Sequence, residues 1–174
     1  MTIDELYQHI LDTDYTARRV GNTITATASL NLGRLTTLPE GVTLSTTGYM
    51  NLERLATLPE GVTLSAGGYL DLNGLTTLSP GVTISTGGGL GLHSLTTLPE
   101  SATLTAVGPL DLGNLTKLPE GVTISAGGCL YLRSLTALPE GVTISTGGRL
   151  DLRSLTTLTA GVTLSAAGNL FLGR

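Results

Sequence analysis

Apolar and polar positions along this chain follow a unit of twenty residues, L-x-L-x-x-L-T-x-L-P-E-G-V-T-L-S-x-G-G-x, which recurs from residue 21 to residue 174. Leu-Pro-Glu-Gly-Val-Thr stands intact at 38, 58, 118 and 138, with worn copies at 78, 98 and 158. Two parts of each unit alternate with period two, as strands do. In Leu-x-Leu, two aliphatic side chains share one face, from Leu30 and Leu32 through to Leu170 and Leu172, with Met50 the one departure from leucine. In Val-Thr-Leu/Ile-Ser, residues such as Val142 and Ile144 point inward while Thr143 and Ser145 point outward. Leu135 and Leu138, three apart, predict a tight bend with both side chains inside. Pro139 and Gly141 punctuate one corner, and Gly147-Gly148 another. Helical spacing is absent from the unit, and its glycines oppose a helix.

A unit of this kind cannot bury its own apolar edge, so it must stack on its neighbours. The expected fold is all-β: a parallel β-solenoid of about eight 20-residue coils, right-handed by the crossover rule. Residues 1–20 form a separate cap and 21–174 the solenoid. Thr2 to Glu5 is a capping box, and Ile3, Leu6, Tyr7, Ile10 and Leu11 form a helical stripe that should sit on the first coil. The other end, "NLFLGR", carries no such cover. An open sheet edge invites association, so a homodimer through the last coil is one expectation. The plainer one is that Phe171 and Arg174 blunt the edge.

Composition narrows the class. Glycine is abundant, with 24 residues, yet it falls at a fixed period and does not signal disorder. A net charge of −4 gives no basic footprint for duplex phosphates, which argues against nucleic acid as partner. The single Cys129 rules out an intramolecular disulfide framework. No stretch approaches a membrane span, and "MTIDELYQHIL" has acids where a signal peptide needs bases. The expected location is therefore cytoplasmic, with leaderless export as the alternative.

"LTTLPEG" following "LDL" resembles the bacterial leucine-rich repeats of about twenty residues. It is also similar to the Leu-Pro-Glu-Gly/Gly-Gly repeat proteins of bacteria and phages. The likeness covers residues 21–174. It implies a noncatalytic recognition scaffold with a protein partner, in a bacterium or a phage-infected cell. The leucine-rich pattern places an Asn after the strand, where this chain has mostly Ser, Gly or Arg. A second strand and a Gly-Gly corner are added, so a straighter two- or three-sided solenoid is expected in place of a horseshoe.

Comparing the coils with one another separates fixed columns from changing ones. The outward positions around Leu-x-Leu change: Tyr49, Asn51 and Glu53, then Tyr69, Asp71 and Asn73, then His93, then Tyr131 and Arg133, then Arg149, Asp151 and Arg153. Every aromatic residue of the repeats lies in these columns. Tyr and Arg are enriched in binding hot spots, and solenoids bind along one extended face. These residues are therefore the candidate partner-binding set. Acids and tyrosines gather at one end and arginines at the other, which would suit an acidic or phosphorylated partner. The competing reading is drift on an unconstrained surface, with Asp151 merely neutralising its neighbours.

Two fixed columns raise alternatives. Outward Thr-x-Ser pairs resemble the Thr-x-Thr arrays of ice-binding β-solenoids, although Ser supplies no methyl; β-propensity and hydroxyl bonding explain them as well. Glu40, Glu60, Glu100, Glu120 and Glu140 form an acidic column, interrupted at Pro80, that would mimic phosphates to a nucleic-acid enzyme. A solvated turn is the simpler account. Neither catalysis, a cofactor nor a metal is expected. His9 and His93 sit in no nucleophile or ligand pattern, and no helix follows the glycines of "STGGGLG" to make a phosphate loop.

Overall fold

The computed structural model describes residues 1–12, 16–100 and 102–173. Leucines two apart, repeated every twenty residues, stack into one continuous sheet. Its eight strands run from Leu30–Asn31 to Leu170–Leu172, each in parallel register with the strand one coil away. Leu110, for example, lies between Leu90 and Leu130. After each strand the chain bends as expected. The Leu55 amide donates to the Leu52 carbonyl at 3.1 Å, and Leu135 to Leu132 at 3.3 Å. Both Leu135 and Leu138 are fully buried.

The Val-Thr-Leu/Ile-Ser segments form the second side, and the inward alternation extends one residue further than the sequence pattern suggested. Besides Val142 and Ile144, the next residue but one faces the core: Ala66, Ala106 and Ala126, or Thr46, Thr86 and Thr146. A buried hydroxyl needs partners, and these threonines have them at the Gly-Gly corner. Thr86 donates to the Gly68 carbonyl at 2.5 Å and accepts from the Gly88 amide at 3.2 Å.

This second side is not one sheet. Strands Thr23–Ala26, Thr43–Thr46, Thr63–Ala66 and Thr83–Thr86 form one group, and Thr103–Ala106, Thr123–Ala126, Thr143–Thr146 and Thr163–Ala166 another. The Thr83 amide bonds to Val62 and the Thr123 amide to Ala102, but among the described residues no such bond joins Thr103 to Val82. The two groups rejoin at the glycine corner, where Gly108 donates to Gly88 at 2.7 Å. Between them lies a cleft of about 470 Å³ lined by Leu78, Pro80, Val82, Ile84 and Ala102. Two of the worn copies of the repeat supply these residues: Pro80 replaces Glu and Ala102 replaces Val.

At the N-terminal end the helix Ile3–Leu11 carries the expected capping box, with the Glu5 amide donating to the Thr2 hydroxyl and the Thr2 amide to the Glu5 carboxylate. Leu6 and Ile10 are fully buried in the same core as Ile24 and Leu30. The Tyr7 hydroxyl donates to the Ala17 carbonyl at 3.1 Å. A further strand, Arg18–Val20, pairs antiparallel with Thr23–Ala26 through the two-residue turn Gly21-Asn22. It covers the sheet edge that the helix leaves open. At the other end Leu158, Leu170, Phe171 and Leu172 are exposed; Arg174 lies outside the described residues. No described helix is long and apolar enough to cross a membrane.

Candidate functional site

The outward columns of the Leu-x-Leu sheet hold the candidate residues, and local chemistry decides what each can do. The middle position is often Asn or Asp, whose side chain can bond the backbone two residues on. It does so repeatedly: Asn51 accepts from the Glu53 amide at 2.9 Å, Asp71 from Asn73 at 3.0 Å, and Asp111 from Gly113 at 2.9 Å. Gly91 has no side chain to do this. There Asn73 reaches across from the preceding coil and accepts from the His93 amide at 3.1 Å. Asn51, Asp71 and Asn73 therefore hold the bend. His93 stands exposed, with Nδ1 3.7 Å from Asp111 Oδ2.

Towards the N-terminal end, Tyr49 and Tyr69 stack with ring centroids 6.1 Å apart and planes 11° from parallel. Tyr69 lies down along the sheet because the next coil offers only glycine. A Cβ at Gly91 would collide with its hydroxyl, and one at Gly89 would sit 3.0 Å from its ring. Partial burial, with the carboxylates of Asp71 and Glu53 beside Tyr49, pushes the Tyr49 phenol above its usual range. Burial acts likewise on Tyr69. Both stay protonated and able to donate at neutral pH. Glu53 is exposed beside them.

Towards the C-terminal end the expectation for Asp151 needs correcting. Its outward position predicts an exposed side chain, but it is completely buried. Three guanidiniums cover it: those of Arg149 and Arg153, which flank its strand Leu150–Leu152, and that of Arg133 from the coil before. Arg149 Nη2 donates to Oδ2 at 3.0 Å, Arg133 Nε to Oδ2 at 3.3 Å, and Arg153 donates through Nε to Oδ1 at 2.9 Å and through Nη2 to Oδ2 at 2.6 Å. The Arg153 bonds foremost, with those of Arg133, hold the Asp151 carboxyl below the usual range despite burial. Two of the arginines are also braced on rings: Arg133 lies 4.4 Å over Tyr131, and Arg149 4.0 Å over Phe171. Phe171 thus belongs with this group. Its place in the same outward column as Tyr131 and Asp151 was the available signal.

The remaining columns are simpler. The five glutamates Glu40, Glu60, Glu100, Glu120 and Glu140 are exposed. The outward Thr and Ser rows are continuous within each group of strands and interrupted between Thr83–Thr86 and Thr103–Ala106. Cys129 is a free thiol, half-buried. Among the described residues no cluster of His, Cys, Asp or Glu is arranged to hold a metal. Set against known proteins, the chain matches no family model, no curated protein and no solved structure.

Proposed function

We propose that this chain is a noncatalytic protein-recognition scaffold that binds its partner along the outward face of the Leu-x-Leu sheet. The observation that carries the reading is the Tyr49–Tyr69 stack laid over Gly89 and Gly91. Large side chains in one coil matched by absent ones in the next are complementary, which independent drift does not produce. Two ordered phenols present rigid amphipathic area at little entropic cost, as hot spots require. The arginine group lies further along the same face. A second copy of the chain is a further partner in this proposal, docking on the apolar last coil at Leu158, Leu170, Phe171 and Leu172.

The adsorption alternative has less support because the Thr and Ser rows are interrupted at mid-length. The phosphate-mimic alternative rests on five separated carboxylates alone. Recovery of a partner from a lysate of the source organism or its host tests the proposal. Wild type should retain the partner, and Tyr49→Ser/Tyr69→Ser should lose it while keeping its circular dichroism spectrum. A partner held equally by both proteins would mean that the wrong face has been chosen.

A further inference from the structure

We infer that Arg133, Arg149 and Arg153 form a receptor for a dianionic phosphoryl group, with Asp151 as its buried pivot. The inference rests on the recognition reading above and names the chemistry the partner must present at this end of the face. Three guanidiniums converge on one carboxylate, so the group carries two positive charges more than it neutralises. No other acidic residue occupies the outward columns of the coils on either side, where Cys129, Tyr131, Asn169 and Phe171 stand. Asp151 engages one N–H from Arg133, one from Arg149 and two from Arg153. The three side chains stay partly exposed, at 44, 36 and 56 % for Arg133, Arg149 and Arg153, and Arg149 Nε is buried without a partner among the described residues, so N–H groups remain unspent. Planar forks carrying surplus charge match a tetrahedral dianion, which accepts several such bonds at once. Stacking on Tyr131 and Phe171 fixes the forks of Arg133 and Arg149 in advance, so less freedom remains to be lost on binding.

Stability alone does not account for this arrangement. Asp71 and Asp111 spend the same side-chain position on the bend, accepting the amide two residues on. Among the described residues Asp151 makes no such bond to Arg153. Its carboxylate is committed to the guanidiniums instead. The coil gives up a turn hydrogen bond and gathers like charges that repel one another. A partner anion would relieve that repulsion.

Phosphoryl groups reach such a site on a protein segment or as a free ion, and the test separates the two. The Arg Nε–Hε resonances of the full chain are followed by NMR at pH 7.5 in 0.15 M chloride. Three probes are used: inorganic phosphate, an uncharged-sequence peptide with one phosphoserine, and its unphosphorylated twin. The phosphopeptide should shift the signals of Arg133, Arg149 and Arg153 saturably and bind more tightly than phosphate. Its twin should shift nothing. Affinity should fall as pH drops below the second phosphate pKa of about 6. Arg153→Gln should weaken binding about tenfold or more, the loss of a charge-assisted pair, and Arg54→Gln should leave it unchanged. Equal affinity for phosphate and phosphopeptide would keep the dianion site but assign it to a free ion. No saturable shift at ~10 mM phosphate or phosphopeptide, or equal weakening by Arg54→Gln, would overturn the inference. A partner still lost on Tyr49→Ser/Tyr69→Ser but kept by Arg153→Gln would leave the recognition reading standing without it.

Discussion

Asp151 is ionised in the fold because guanidiniums surround it, and this makes the stability of the C-terminal coils depend on pH. Its folded pKa lies below that of the unfolded chain, led by the Arg153 hydrogen bonds. The stabilisation is therefore complete above the unfolded carboxylate pKa, about 3.9. It is lost as pH falls through the lower, folded value. Asp151→Asn should cost about 1.5–3 kcal/mol at pH 7, the worth of hydrogen bonds to a charged group. The gap between wild type and variant in urea unfolding should close as pH is brought below that window. A gap of equal size at pH 7 and at acid pH would show that the loss is one of packing and not of charge. The sequence did not reveal this burial. Period two correctly put Asp151 on the outer face, but the long side chains of Arg133 and Arg153 fold back over it, and periodicity does not encode that. The same holds for Asn51, Asp71 and Asn73. Their columns were legible, but their engagement with backbone amides was not.

At the scale of elements, the stacking of identical corners sets which residues are tolerated. The second glycine of the Gly-Gly corner is glycine in every coil from Gly48 to Gly168. The first is replaced by Thr47, Val107 and Ala167. A Cβ on Gly148 would meet the backbone of Gly128 at 2.9 Å and of Cys129 at 3.0 Å, and neither can move without shifting the coil beneath. A Cβ on Gly147 would come closer still, to the Gly127 carbonyl oxygen, so Gly147→Ala should cost at least as much as Gly148→Ala, each about 1–3 kcal/mol, as urea midpoints would reveal. The reverse order would mean that the corner relaxes elsewhere. Both strand rows, the Leu-Leu bend and the capped helix could be read from spacing because core columns obey simple alternation. The Arg18–Val20 hairpin has a weaker signal, the two-residue turn in Val20-Gly21-Asn22-Thr23, because its strand lies outside the repeat. The interruption beside Ala102 is hidden from the pattern, since the worn copies at 78 and 98 still keep the repeat's outline.

Across the whole molecule the two ends differ. The N-terminal coil is covered by a helix and an antiparallel strand, whereas the last described coil leaves Leu158, Leu170, Phe171 and Leu172 open. Sedimentation should show concentration-dependent dimers for the wild-type chain and monomers for Leu158→Glu/Leu172→Glu. Monomers in both would leave only the partner face for recognition. Between the ends, the cleft beside Ala102 has a mechanical consequence. Solenoid coils hold together through nearest-neighbour interfaces alone, so the chain is only as cooperative as its weakest joint. At that joint one of the two main sheets loses its ladder, and the Leu-x-Leu ladder, the glycine corner with the Val107–Thr86 bond beside it, and the Thr96–Thr76 bonds carry the load. Stretched between its termini in an optical trap, the protein should yield in two rips, one for each block of strands. Ala102→Val, which restores the residue that seals the other coils, should merge the two into one.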